Sequence, residues 1–355
     1  MNVSFNDLSG GYRAHIAYLE PPMALTGKPL GLVVTTSLLL IGVTLFVALR
    51  VLARVLTRSS EPHGEISWGY DDLLVVFGFV SNNIVTIFTA MSALYGVGRH
   101  DDELNDFIKL RALEYQFYWQ VCIAFPILFA RWAIVTTLFG LTKGSRHVPQ
   151  LWLIFAFSAM VFIWNVGDDI ATCDPISATW NPALGTCSHD RFLAGASGLF
   201  ASSVIAFTLD ISCVWIAWSV LQRYDFQKQA RWALYVIFGL AVYASIAPLA
   251  RFQSFDAYDA PNEELYKLQD IMVWSNIEGG VALIVISVPS LARLSMGYFG
   301  ERSGALVHKH RKGTHEPDAG DHIQDTIEFY NAEWLYVGDT DKLPMSGHRP
   351  TKQDE

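Results

Sequence analysis

Charge is scarce in this chain. Asp, Glu, Lys and Arg make up only 17% of its 355 residues, against about 25% in an ordinary soluble protein. Hydrophobic residues reach 52%, so disorder is excluded over most of the length, because disordered chains are poor in apolar residues and rich in charge. Basic residues are outnumbered. The formal net charge of -9 argues against a nucleic-acid binder, which needs a basic stripe. Cysteine is rare, and four residues cannot staple a disulfide scaffold. No Gly-rich phosphate loop and no nucleophile elbow is present. The first 29 residues lack a basic start followed by an apolar core, so no cleaved signal peptide is expected.

What the chain has is long apolar runs. A bilayer core about 30 Å thick takes roughly 20 apolar residues as a helix. Seven windows qualify: Leu30–Leu52, Leu73–Tyr95, Tyr115–Leu138, Leu151–Gly167, Gly195–Leu221, Trp232–Ala250 and Ile271–Leu291. The expected fold is all-α, a polytopic bundle of seven transmembrane helices. Residues 1–29 form an N-terminal segment, 30–295 the bundle and 296–355 a polar, partly disordered tail. Lys and Arg concentrate after the first, third, fifth and seventh windows (Arg50, Arg54, Lys143, Arg146, Arg223, Lys228, Arg293 and others). The positive-inside rule then places the N-terminus outside and the tail in the cytoplasm. Ile323, Ile327, Tyr330, Trp334 and Val337 recur at three and four residues, which suggests a short amphipathic helix in the tail. That helix is a candidate surface for a cytoplasmic protein partner.

The connection after the fourth span runs from Cys173 to Cys187 with Pro175 and Pro182 between them. It falls on the oxidising side. A Cys173–Cys187 bridge would stabilise the fold by roughly 3 kcal/mol through loss of chain entropy. Two unpaired thiols, or a bridge from Cys122 to the loop, are the alternatives.

Ionisable residues inside a span are expensive, and they are paired or functional. Arg131 in the third span and Asp210 in the fifth lie at similar depth, which suggests an ion pair. Glu278 lies seven residues into the seventh span, about 10 Å deep at 1.5 Å per residue, within reach of Arg251 at the end of the sixth. Both pairs could equally be bundle glue. Asn82 and Asn83 are adjacent and cannot share a helix face, so one should bond a neighbouring helix and the other face a cavity. Asp71 and Asp72 begin the second span, where negative charge favours the helix dipole. Gly96 and Gly98 should close that span with a turn. Arg99 and His100 then sit at the bundle mouth, and with Trp180, Arg251, Trp274 and Glu278 they form a candidate ligand pocket suited to a polar or zwitterionic small molecule.

The ordered motifs resemble the fungal rhodopsin-like family of seven-helix integral membrane proteins, over about residues 30–295. Tyr70-Asp71-Asp72-Leu73 opens the second span, and Gly96-Val97-Gly98-Arg99-His100 follows it. Cys173-x-Pro175 with Trp180, and Gly185-x-Cys187, match the outer loop. Asp210, Arg251, Trp274-Ser275 with Glu278, and Pro289-x-Leu291 match the last three spans. Departures exist. Arg131 and Ala133 stand where the family usually has lysine and serine, Gly140 stands at an arginine position, and the proline after the fifth-span aspartate is missing. The N-terminal segment has no cysteine, which excludes the subgroup with an added cysteine-rich domain. A retinal pigment needs a lysine within the last span, and Ile271–Leu291 has none.

All ten histidines lie outside the windows, which argues against an intramembrane zinc site or bis-histidine haem. No cofactor and no metal is expected. The Asp-Arg-Tyr and Asn-Pro-x-x-Tyr signatures of G-protein-coupled receptors are absent. These features suggest a receptor-like sensor of a small molecule, in the plasma membrane rather than an internal one. The alternatives are a transporter or exporter, or a membrane-embedded enzyme of secondary metabolism, for which only carboxylates could serve. No catalytic residue is assigned.

Overall fold

Apolar sequence inside a bilayer must satisfy its backbone internally, and helices do so. The computed structural model describes residues 9–58, 69–142, 147–187, 189–222, 235, 239–243, 245–247 and 263–310. Its helices are α1 (Gly10–Leu19), α2 (Lys28–Arg58), α3 (Tyr70–Leu94), α4 (Asp106–Leu141), α5 (Val148–Ala171), α6 (His189–Leu221) and α7 (Glu264–His310). Among the described residues, α2 to α7 are each long and apolar enough to cross a membrane. Of the sixth expected span, residues 239–243 and 245–247 are described and helical; the rest, with Arg251, lies outside the described residues. So does the tail beyond His310, including its expected amphipathic helix. Helices outrun the hydropathy windows because the windows mark only the part that meets hydrocarbon. The last helix continues to His310, into what the sequence suggested was unstructured tail.

Two helices form the centre. In α7, 67% of the apolar window is buried inside the protein, and in α4, 44%, against 17% in α5. Both central helices contribute to two apolar clusters. Trp119, Ile123, Leu268 and Met272 pack with Leu32 and Val85 near one end. Ala130, Ala133, Leu283 and Ile286 pack with Val43, Val47 and Val75 nearer the other. The outer faces of the peripheral helices stay apolar. Leu38, Ile41 and Leu45 of α2 are exposed at helical spacing, an apolar face compatible with lipid.

The end carrying the 95–105 and 172–188 connections is called the loop face here. Strands β1 (Cys173–Asp174) and β2 (Thr186–Cys187) pair antiparallel with Cys173 opposite Cys187, and those cysteines form the disulfide. Gly98 adopts φ +90°, a conformation that disfavours a side chain. Its N–H donates to Leu265 O at 2.9 Å, and a Cβ there would fall 1.8 Å from Gln269 Oε1. This close approach ties the 95–105 connection to the start of α7.

Helix α1 has no counterpart in the sequence reading. Ten residues are too few for a stable isolated helix, so its docking must supply the stability. Asn181 Nδ2 donates to Gly10 O at 2.9 Å, Met23 N to Leu94 O at 2.8 Å, and Tyr18 Oη to Glu114 Oε1 at 2.7 Å. A Cβ at Gly10 would lie 2.5 Å from Leu184. The Arg111 guanidinium lies 4.0 Å from the Tyr18 ring centre and bonds Glu114 Oε2 at 2.6 Å.

Tyr18→Phe removes a donor to a buried carboxylate that keeps Arg111. The expected cost is about 1 kcal/mol, read as faster amide hydrogen exchange across α1 with the bundle unchanged. The Tyr18 phenol is held above its ordinary pKa of 10.0, first by its hydrogen bond to Glu114 and then by burial. A raised folded pKa means the stabilising contact is complete below about pH 10 and lost as pH climbs through the raised value. Exchange protection of α1 should therefore fall with alkalinity in the wild type, and the Phe variant should lack that step.

Candidate functional site

Arg131 of α4 is a charged group buried within the bundle, at 6% exposure. A guanidinium is a rigid fork that matches a carboxylate. Its Nε donates to Asp210 Oδ1 at 2.8 Å and its Nη2 to Asp210 Oδ2 at 3.1 Å. Glu278 Oε1 of α7 lies 3.8 Å from Arg131 Nη2, and Glu278 is buried. One cation thus joins α4, α6 and α7. Beside it is a cavity of about 70 Å³ whose polar lining is Arg131, Glu278, Ser158, Asn165, Ser202 and Ser203.

A second ionic knot was not anticipated. Arg50 of α2 donates through Nε to Asp72 Oδ1 at 2.8 Å, through Nη2 to Asp71 Oδ2 at 2.5 Å and through Nη1 to Ile286 O at 2.5 Å. Arg54 Nη2 adds a bond to Asp71 Oδ2 at 3.3 Å. Asp72 also accepts from Gly69 N at 3.4 Å, so the capping expected of the aspartates is present in addition. The signal was available: Arg50 and Arg54 are spaced i,i+4, as a helix face requires. They were counted only as loop charges.

The residues proposed for a polar vestibule go to different neighbours. Arg99 Nη2 donates to Ala24 O and to Thr26 Oγ1 (3.4 Å), so it clamps the segment that follows α1. His100 stacks on Tyr266 at 4.0 Å, with Nδ1 3.3 Å from Glu263. Trp180 packs on Phe117 and Tyr118 at 5.3 and 6.0 Å. Trp274 is half-buried one turn from Glu278. Glu278 belongs with Arg131, and Arg251 lies outside the described residues. Asn82 is buried, whereas Asn83 Nδ2 bonds Phe79 O of its own helix at 2.8 Å. Asn83 therefore satisfies itself without a neighbouring helix.

Phe117 and Tyr118, on which Trp180 packs, line a pocket. A space of about 270 Å³ beneath the disulfide loop is lined by Phe88, Phe117, Tyr118, Val121, Cys122, Ile170 and Ile176. It approaches the lower end of the ~300–1,000 Å³ usual for ligand sites. Its walls are apolar. Tyr118 turns its hydroxyl toward Glu114 Oε1 at 3.4 Å. Among the described residues, no group of three or more His, Cys, Asp and Glu is arranged to hold a metal ion.

The sequence profile of the fungal rhodopsin domain matches residues 49–296. The chain belongs to this family. A search of curated proteins found no match. The match begins at Leu49, one residue before Arg50, and covers both ionic knots. Helix α1 and most of α2 precede it. Within the matched residues, the paired aspartates that open the second span are partners of Arg50, and Arg131 is bidentate on Asp210.

The two arginines of the second knot differ in burial, with side chains 4% and 30% exposed for Arg50 and Arg54. Arg50→Gln leaves two carboxylates short of their buried cation and should cost about 3–5 kcal/mol. Arg54→Gln should cost at most about 1 kcal/mol. Thermal melts of the two purified variants beside wild type check the order.

Proposed function

We propose that this integral membrane protein is a receptor-like sensor of a small molecule, working without retinal, with the loop face outside the cell and the plasma membrane as its site. The observation that carries the reading is the apolar pocket under the disulfide-held loop. A pocket of that size and lining suits a lipophilic metabolite rather than the polar ligand first expected, because a charged guest would lose its hydration with no compensating partner. The pocket wall also offers a path for response. Tyr118 bonds Glu114, which holds Tyr18 of α1, so a guest that moves Tyr118 alters the docking of the N-terminal helix. A ligand shifts such an equilibrium only by its differential affinity for the two arrangements.

The test is a thermal-shift screen of the detergent-solubilised chain against lipophilic fungal metabolites, run beside Val121→Trp, which fills the pocket. A compound that raises the wild-type melting temperature, slows alkylation of Cys122 and leaves Val121→Trp unshifted supports the reading. Compounds that shift both proteins equally, or a library that shifts neither, would overturn it.

A further inference from the structure

The pocket under the disulfide loop lies on the outside of the bundle. On α4, Trp119 and Ile123 share an apolar cluster with Leu268 and Met272 of α7. Ile127 Cγ1 stands 3.7 Å from where a Cβ at Gly279 of α7 would be. These residues mark the face of α4 turned to the bundle centre. The pocket takes Phe117, Tyr118, Val121 and Cys122 from the same helix. At about 100° per residue, Val121 points about 160° away from both Trp119 and Ile123. The pocket is therefore on the side of α4 opposite α7. It sits in the groove between α3, which supplies Phe88, and α5, which supplies Ile170.

Both helices that flank the groove present apolar stripes outward. Val80, Ile84 and Ile87 of α3 are exposed at helical spacing, and so are Met160, Ile163 and Ile170 of α5. Ile170 and Ile176 in the pocket wall are each 42% exposed, so protein does not close that side. At the loop end, Ile176 belongs to the short turn between the bridged Cys173 and Cys187, and Trp180 packs on Phe117 and Tyr118. At the other end, Phe125 of α4 meets Phe162 of α5 edge-on at 5.0 Å. The slot is thus closed at its roof and floor and open sideways. Val121 lies six residues past Tyr115, where the apolar run of α4 begins, about 9 Å in at 1.5 Å per residue. That depth is hydrocarbon, in the leaflet nearer the loop face.

Left empty, such a slot forfeits the dispersion contacts of its lining. Glu114 takes the Tyr118 hydroxyl, so the walls are hydrocarbon, aromatic ring and one thiol, and a charged head group would be desolvated there without a partner. The volume of about 270 Å³ is below the roughly 300–1,000 Å³ that takes a whole drug-sized molecule. The slot fits one chain of a larger amphiphile.

We propose that the pocket is a lateral site for one acyl chain of a membrane lipid, which enters between α3 and α5 from the loop-face leaflet while the head group stays at the membrane surface. The inference rests on the receptor reading for the pocket's being a ligand site, and it adds the class of ligand and the route. A chain seated there lies against Tyr118, whose bond to Glu114 leads on to Tyr18 of α1.

The experiment places the full chain in phosphatidylcholine nanodiscs with a trace of phosphatidylcholine that carries a photoactivatable diazirine on one acyl chain. Mass spectrometry of peptides maps the adducts. They should concentrate on Phe117, Tyr118, Val121 and Cys122, above the level on the exposed α2 face of Leu38, Ile41 and Leu45. Val121→Trp should lose the pocket adducts and keep those on α2, which also reports that the variant is folded. A charged, water-borne diazirine should label loops and leave Val121 and Cys122 untouched. Lipid adducts in the wild-type pocket no denser than on α2, or undiminished in folded Val121→Trp, would overturn the proposal. Labelling of Val121 or Cys122 by the water-borne probe would overturn the lateral route and leave the receptor reading standing, whereas labelling by neither probe would overturn both.

Discussion

A guanidinium buried inside a membrane bundle must be compensated where it sits, and Arg131 is the clearest such constraint in this protein. Its fork is filled by Asp210 from one helix, with Glu278 beside it from another. Dispersion and packing hold α4, α6 and α7 together only non-specifically, because lipid is as apolar as their side chains. The charge match sets the rotation of each helix about its axis. Turning α6 by one residue, about 100°, would carry Asp210 out of reach.

The Arg50 knot does the same work at another depth. It ties α2 to the start of α3 and, through Ile286 O, to α7. Helix α7 therefore meets both knots, which fits its being the most buried of the described spans. At the loop face the constraint changes character. There the Cys173–Cys187 bridge, Asn181, Glu114 and Arg99 hold the N-terminal segment through α1 and the residues that follow it. The apolar pocket under the loop lies in this part of the bundle.

The membrane helices were legible in the sequence because hydropathy is a property of each segment by itself. The disulfide was legible because two cysteines bracket one short loop. The Arg131–Asp210 pair followed from depth arithmetic within two long spans. For Glu278, counted seven residues in from Ile271, the helix itself starts earlier, at Glu264, which adds about 10 Å at 1.5 Å per residue, and its carboxylate lies 3.8 Å from Arg131 Nη2; its expected neighbour Arg251 lies outside the described residues. Contacts that depend on how one helix faces another were hidden. Arg50 with Asp71 and Asp72 is one, and the docking of α1 through Tyr18 is another. Neither leaves a periodic mark, since each rests on a few polar groups meeting across elements. At the loop face Arg99 bonds Ala24 and Thr26 and His100 stacks on Tyr266, contacts that spacing along the chain does not mark.

The most direct test of this account is a double-mutant cycle on Arg131→Gln and Asp210→Asn, with stability measured by reversible denaturation in mixed micelles. Each single change leaves a buried partner uncompensated and should cost about 3–5 kcal/mol. The double mutant should be no less stable than either single one, giving a large coupling energy. Additive losses would mean that the two residues do not depend on each other and that Arg131 does not set the arrangement of the bundle.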